Sequence, residues 1–188
     1  HVRKGFTPLA RMSVEQRRAA LVEAAYRVIA DHGVEGATTR RICAKAGMPL
    51  ASFHYAFESR TALLHAVMET AVPTDITKML DTIVAGTADP IAAPGPDTMR
   101  DSMYRHMQLF YILLKADPGR MQATISLGIY AHKHPALQEV GKQMYERLYD
   151  VAALGLETSA RQLGVAWDQP ARELAPVIIA ATNAITLT

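Results

Sequence analysis

The chain contains a single cysteine among its 188 residues, and this scarcity excludes several ways of stabilising a fold. Cys43 alone can form neither an internal disulfide nor a thiolate zinc site, so stability must come from side-chain packing. No apolar run approaches the roughly 18 residues that a membrane span needs, and the basic start is not followed by an apolar signal region. These absences predict a cytoplasmic protein with no membrane partner.

Recognisable catalytic motifs are missing as well. The sequence has no Gly-rich phosphate loop, nucleophile elbow or helical zinc motif. His132 and His134 are two residues apart, which places them on different helix faces rather than at the four-residue spacing of a zinc pair. A soft-metal site built from Met103, His106 and Met107 is conceivable, but such methionines more often fill a core. We therefore expect no enzyme activity, no metal and no cofactor.

The positive charge is concentrated near the N terminus. The net charge of the whole chain is +2, but residues 1–65 hold ten Lys or Arg against five Asp or Glu, a net charge of +5. The remaining residues hold the other ten basic residues and thirteen acidic ones, a net charge of −3. This asymmetry is typical of a head that docks on phosphates and a body that does not.

Helix start and stop signals predict an all-α fold without strands. In the N-terminal third, a capping box at Ser13 and Gln16 precedes a predicted helix from about Val14 to Gly33. An N-cap at Thr38 or Thr39 precedes a second helix that ends at Gly47. Pro49 starts a third helix, and Ser59 caps a fourth. Further along, the pattern predicts a helix at 75–85, a loop at 86–96, and helices at 97–116, up to 134, 135–163 and from 169 or 170 onward.

Residues 38–57 have the organisation of a helix-turn-helix motif. Two short helices meet at Gly47, which tolerates the tight turn that this motif requires. In such a motif the first helix crosses the DNA backbone while the second enters the major groove, about 12 Å wide. Phe53 is expected to anchor the second helix inward, and Cys43 to pack inside the first rather than sense redox state. An ordinary helical hairpin is the alternative.

At these residues the chain resembles the TetR family of bacterial regulators over about residues 15–72. The positions that carry the resemblance are Gly33, Ala37, Thr38, Thr39, Ile42, Ala46, Gly47, Phe53, Tyr55, Phe57, Ser59, Arg60, Leu63 and Leu64. The chain departs from the family at Pro49, where Ser is common, at His54, where Tyr is common, and at Arg60, where Lys is frequent. The resemblance implies a helix-turn-helix DNA-binding head at 1–72 and a helical ligand-binding and dimerisation body at 73–188.

The resemblance also implies which residues meet DNA. Thr39, Ser52, Tyr55 and Arg60 would hold phosphates, whereas Leu50, Ala51 and His54 would face bases. The full expected DNA-binding set is Thr38, Thr39, Arg40, Pro49, Leu50, Ala51, Ser52, His54, Tyr55 and Arg60. Arg3, Lys4 and Arg11 are candidates for an arm that adds phosphate or minor-groove contacts.

Two groups of body residues are candidates for further contacts. Core packing is one use for the apolar residues that recur at helical spacing in the body, and a pocket for a small apolar effector is another. The candidate pocket residues are Met103, Tyr104, Met107, Phe110, Tyr111 and Tyr130. A homodimer interface is expected from apolar residues that would otherwise leave an exposed patch: Leu156, Leu163, Val177, Ile178 and Ile185.

The sequence as a whole therefore predicts a DNA-binding transcriptional regulator. We expect a ligand-responsive repressor that binds a near-palindromic, double-stranded operator as a homodimer. The alternative is a helical protein-interaction module with a degenerate head, which would show no salt-dependent duplex binding.

Overall fold

The computed structural model describes residues 12–71 and 96–187, and all the regular structure in these two ranges is helical. The helices are α1 (Val14–Gly36), α2 (Thr39–Lys45), α3 (Leu50–Ala56), α4 (Arg60–Thr70), α5 (Pro96–Ala116), α6 (Pro118–Lys133), α7 (Pro135–Leu163) and α8 (Ala171–Thr186). The all-α prediction is confirmed. The helix expected at 75–85, the loop after it and the basic arm of Arg3, Lys4 and Arg11 lie outside the described residues.

The helices begin and end at the residues that the sequence marks for these roles. The Ser13 hydroxyl accepts a hydrogen bond from the Gln16 amide at 3.1 Å, while the Gln16 side chain accepts one from the Ser13 amide at 2.9 Å, which confirms the capping box. Gly164 ends α7 in the left-handed conformation, with φ of 63°. Gly33 also has positive φ, 70°, but it interrupts α1 rather than ending it, because a further turn continues to Gly36.

The largest hydrophobic core joins the N-terminal helices to α6 and α7. Leu21 and Ile29 of α1 and Leu63 of α4 belong to the same buried cluster as Leu127 of α6 and Met144 of α7. All five side chains are at most 1% exposed. Because burying a side chain of this size contributes roughly 1.5–3 kcal/mol, the head and the α6–α7 hairpin stabilise each other.

Among the described residues, the far end of the body has two small clusters of buried side chains. Leu156 packs with Ala153, Ala171 and Ala175, and Leu163 packs with Met99 and Ala160. Both leucines were expected at a dimer surface, and that expectation is wrong for them, because neighbouring helices of the same chain cover them. Among the other residues expected at that surface, Val177 is 66% exposed, and Ile178 and Ile185 are half-buried.

The six residues expected to line an effector pocket do not share one environment. Phe110 is buried and Met103 and Met107 are half-buried, so one face of α5 is directed inward. Tyr104 and Tyr111 are exposed, at 65% and 49%, because they are turned away from that face of the same helix. Tyr130 contacts Arg60 and His134. The six residues therefore do not share one inward-facing side, and the effector pocket stays a prediction.

In the two described ranges, we find no helix that combines the length and the apolar character needed to cross a membrane.

Candidate nucleic-acid interface

The first helix of the predicted motif starts at a threonine cap. The Thr38 hydroxyl accepts a hydrogen bond from the Arg41 amide at 3.3 Å, which fixes the first turn of α2. Ile42 and Cys43 are buried on the inner side of α2, whereas Arg40, Arg41 and Lys45 are exposed on the outer side. The helix therefore presents cationic side chains to solvent while it packs on the head.

The turn between α2 and α3 depends on one glycine. Gly47 has φ of 65°, a conformation that side chains other than that of glycine rarely adopt. The Met48 amide then donates to the Cys43 carbonyl at 2.9 Å, and the Met48 side chain is 7% exposed. Pro49 has extended backbone and precedes the first residue of α3, so it stands just outside the helix that it was expected to open. The turn sets the direction in which α3 leaves α2.

The second helix of the motif separates an anchoring side from a free side. Phe53 is 1% exposed, and its ring lies 5.9 Å from the ring of Phe57, which is also buried. The opposite side carries Leu50, Ala51, His54 and Tyr55, all exposed, with Tyr55 at 75% and Leu50 at 41%. These four residues form two i, i+4 pairs on one surface stripe, which we call the α3 stripe. Ser52 is half-buried beside it.

An arginine from α1 holds the end of α3. The Arg18 guanidinium donates to the Ala56 carbonyl, and it lies over the Phe57 ring at 4.2 Å. A cation at the last carbonyls of a helix complements the negative end of the helix dipole. Arg18 therefore belongs to the support of α3 rather than to its free side.

The segment that carries α2 and α3 has no acidic residue. Residues 37–57 contain Arg40, Arg41, Lys45 and His54 but no Asp or Glu. A surface with cationic side chains and exposed hydrogen-bonding groups suits contact with a phosphate backbone and base edges. Thr38 is exposed and Thr39 is half-buried at the start of α2, next to the same surface.

Arg60, which the resemblance places on a phosphate, is directed into the protein. Its guanidinium donates to the Ala37 carbonyl at 2.8 Å, to the Val34 carbonyl, and to the Tyr130 hydroxyl at 3.4 Å. These donors are thus directed at groups of the protein rather than at solvent, and the expected phosphate contact of Arg60 stays a prediction. The helix α4 begins beside the carbonyls at the end of α1, and the partial negative charge of these carbonyls attracts a guanidinium.

Cys43 is a packed residue of α2. It is 2% exposed, and burial raises the pKa of its thiol. Both properties lower the thiolate fraction that reacts with oxidants.

The sequence does not predict the contacts of Arg18 and Arg60, because each side chain donates to a backbone carbonyl that is more than 20 residues away along the chain. The available signal at Arg60 is its place after the Ser59 cap, which indicates a helix start but not its neighbours. Arg18 resembles any surface arginine in the sequence. Their contacts depend on how α1, α3 and α4 meet.

Comparison with known proteins agrees with this arrangement. Residues 21–67 match the sequence model described as bacterial regulatory proteins, tetR family. The chain is 29% identical over 135 residues to the HTH-type nicotine-responsive transcriptional repressor HdnoR of Paenarthrobacter nicotinovorans. That match covers 72% of the chain and 64% of the relative, so the chain spans less than two thirds of the relative's length.

Solved structures share the fold. A transcriptional regulator of Rhodococcus sp. Rha1 superposes with a TM-score of 0.60 at 16% identity, covering 90% of this chain and 81% of its own. A protein of Saccharomonospora viridis, described as a transcriptional regulator in complex with choline, gives a TM-score of 0.61 at 22% identity, covering 92% and 84%. At these identities the likeness concerns the fold. Residues 21–67 therefore match the head of the tetR family of bacterial regulatory proteins, and the helical architecture of the chain is the one that these solved structures share.

Proposed function

We propose that the chain is a transcriptional regulator that binds double-stranded DNA by placing α3 in the major groove. The observation that carries this proposal is the α3 stripe, where Leu50, Ala51, His54 and Tyr55 are exposed in a segment, 37–57, that has no acidic residue. Short side chains allow close approach to base edges, and His54 supplies hydrogen bonds there. Tyr55 and the half-buried Ser52 are assigned to phosphates.

The start of α2 supplies the other contacts with the backbone of the duplex. Thr38, Thr39 and Arg40 lie at the first turn of α2, and Pro49 sets the approach of α3. We assign residues 1–72 to the DNA-binding head and 73–188 to the body, with the core described above as the contact between them.

We further propose a homodimer that pairs two heads through α7 and α8. Val177 is 66% exposed on α8, and Ile178 and Ile185 are half-buried on the same helix, which leaves apolar area for a second copy. A two-fold axis would set the two heads about 34–36 Å apart on a near-palindromic operator. Sedimentation that shows only monomer at micromolar concentration would rule out this assembly.

A small effector is the proposed input to the body. The repressor relative is named as nicotine-responsive, and the inward face of α5 carries Met103, Met107 and Phe110. Burial, followed by the charge of Arg105, lowers the pKa of His106 on this helix, so its imidazole stays neutral at physiological pH. An effector releases the DNA only if it binds the non-docking arrangement more tightly than the docking one.

Replacement of Tyr55 tests the DNA-binding proposal. We expect Tyr55→Ala to weaken binding of a duplex from the promoter region of the chain's own gene by roughly tenfold or more, since a lost contact costs about 1–3 kcal/mol. A titration at several salt concentrations measures this. The matched control is Tyr104→Ala, which removes a tyrosine of similar exposure, 65% against 75%, from the body.

Two outcomes of this titration count against the proposal. Equal affinity of wild type and Tyr55→Ala would remove α3 from the interface. Failure of the wild type to retain any duplex at low salt would instead favour a helical protein-interaction module.

A further inference from the structure

Arg60 lies where the head meets the body, and its guanidinium contacts both. On the head side it donates to the carbonyls of Val34 and Ala37, which belong to the end of α1 and the residue after it. On the body side it donates to the Tyr130 hydroxyl at 3.4 Å, and its charged carbon lies 5.8 Å from the centre of the Tyr130 ring. One side chain therefore joins α1, α4 and α6.

The head side of this contact fixes the segment from which α2 starts. Ala37 is followed at once by Thr38, the N-cap of α2. Carbonyls at a helix end carry partial negative charge, so a guanidinium stabilises them in one position, here in addition to the Ala37 amide that donates to the Val34 carbonyl at 3.1 Å. Arg41 adds a second donor nearby, to the Gly36 carbonyl at 3.0 Å. The position of α2 therefore depends on where the Arg60 guanidinium is held.

The body side of this contact is itself held firmly. The Tyr130 ring stacks on the ring of His134, with centres 3.6 Å apart and planes 14° apart. The His134 Nδ1 atom is 2.7 Å from the Tyr130 carbonyl. His134 joins α6 to Pro135 of α7, so Tyr130 reports the geometry of the α6–α7 junction.

We propose that Arg60 is a positioning residue for DNA binding, which couples the α6–α7 junction to the start of α2 through Tyr130 and does not touch phosphate. This proposal rests on the proposed function of the head. A positioning role and a phosphate contact make opposite demands on the side chain. A phosphate needs only a positive charge, whereas the three contacts of Arg60 need a planar fork with several donors.

Duplex titration of the full chain at several salt concentrations separates the two roles. We expect Arg60→Lys, which keeps the charge, to lower affinity for the promoter duplex about tenfold. We expect Tyr130→Phe, which removes only the hydroxyl, to lower it about twofold to fivefold, as one weak hydrogen bond would. The slope of log affinity against log salt should stay unchanged in both. A phosphate contact predicts wild-type affinity for Tyr130→Phe, and a slope smaller by about 0.9 for Arg60→Gln.

The matched control is Tyr145→Phe, which also removes a half-buried tyrosine hydroxyl from the body. It should bind the duplex as the wild type does. Wild-type affinity of both Arg60→Lys and Tyr130→Phe would overturn the proposal.

Hydrogen exchange provides a readout that does not depend on DNA. Tyr130→Phe should speed amide exchange in residues 34–45, while Tyr145→Phe should not. If no variant binds duplex, the proposed function fails, and exchange still tests the coupling. Unchanged exchange at 34–45 in Tyr130→Phe would overturn the coupling by itself.

Discussion

The two ends of the body differ in how they are packed. Near the head, α6 and α7 share one large core with α1 and α4, and side chains such as Leu127 and Met144 are fully buried. At the far end, α5 and α8 meet α7 through two small clusters that contain alanines and half-buried residues. This difference indicates that rigid packing sets the position of the head, whereas α5 and α8 at the remote end have more freedom to rearrange.

Truncating one leucine at each end of the body tests this difference in packing most directly. Leu127 is 0% exposed and Leu163 is 4% exposed, so the two residues are matched in type and burial. We expect Leu127→Ala to lower the free energy of unfolding by about 4–5 kcal/mol and Leu163→Ala by about 2–3 kcal/mol, since cavity cost depends on how well a site can collapse. Urea denaturation at one fixed protein concentration measures both. Equal losses would mean that the two ends are packed alike.

The contact between α6 and α7 predicts a smaller effect at Gly141. A Cβ atom at this position would lie 2.5 Å from the Cβ of Ala131, which is 1% exposed. The helices would have to separate, so we expect Gly141→Ala to destabilise by about 1–3 kcal/mol despite the better helix propensity of alanine. Glu139→Ala, at an exposed position on α7, should change stability by less than about 0.5 kcal/mol. A more stable Gly141→Ala protein would show that the two helices adjust freely.

The smallest perturbation uses the single cysteine as a probe. We expect iodoacetamide to modify Cys43 at least about a hundredfold more slowly in the native protein than in urea, because the thiol is buried and its pKa is raised. Because burial favours the protonated thiol, its contribution to the free energy of unfolding is present at neutral pH. That contribution is lost as the pH rises through the raised pKa of Cys43. Mass spectrometry of timed samples measures the rate.

A cysteine placed at the far end of the body tests whether that end opens more easily than the head. Ala160→Cys in a Cys43→Ala background places a thiol in the far cluster, at a site that is 7% exposed. It should react faster than Cys43 if the far end opens more easily. Slower modification there would reverse the interpretation of the two ends.

Local structure could be predicted from the sequence because its signals are local. The Ser13 capping box, the turn at Gly47, the Ser59 cap and the span from Pro135 to Leu163 all follow from residues a few positions apart. The inward direction of Phe53 follows from the spacing of the motif and is confirmed. The assignment of individual residues to DNA remains a prediction.

Tertiary destinations could not be predicted in the same way. Leu156 and Val177 are both apolar helix residues, yet the first is covered by its own chain and the second is 66% exposed. Tyr104 and Phe110 lie on the same helix, yet the first is exposed and the second is buried. Arg60 matches a phosphate-binding position in sequence, but carbonyls from α1 occupy its donors. Each case depends on which helix lies opposite, and periodicity alone does not determine that.

The core that α1 and α4 share with α6 and α7 bears on how the molecule can be divided. A fragment ending at residue 72 would expose to water the faces that carry Leu21 and Leu63. Such a fragment would tend to aggregate, so the N-terminal head is not a transplantable unit. Fusions that reuse the head must keep the hairpin of α6 and α7, and mutations in that hairpin that change its packing will shift the helices of the head.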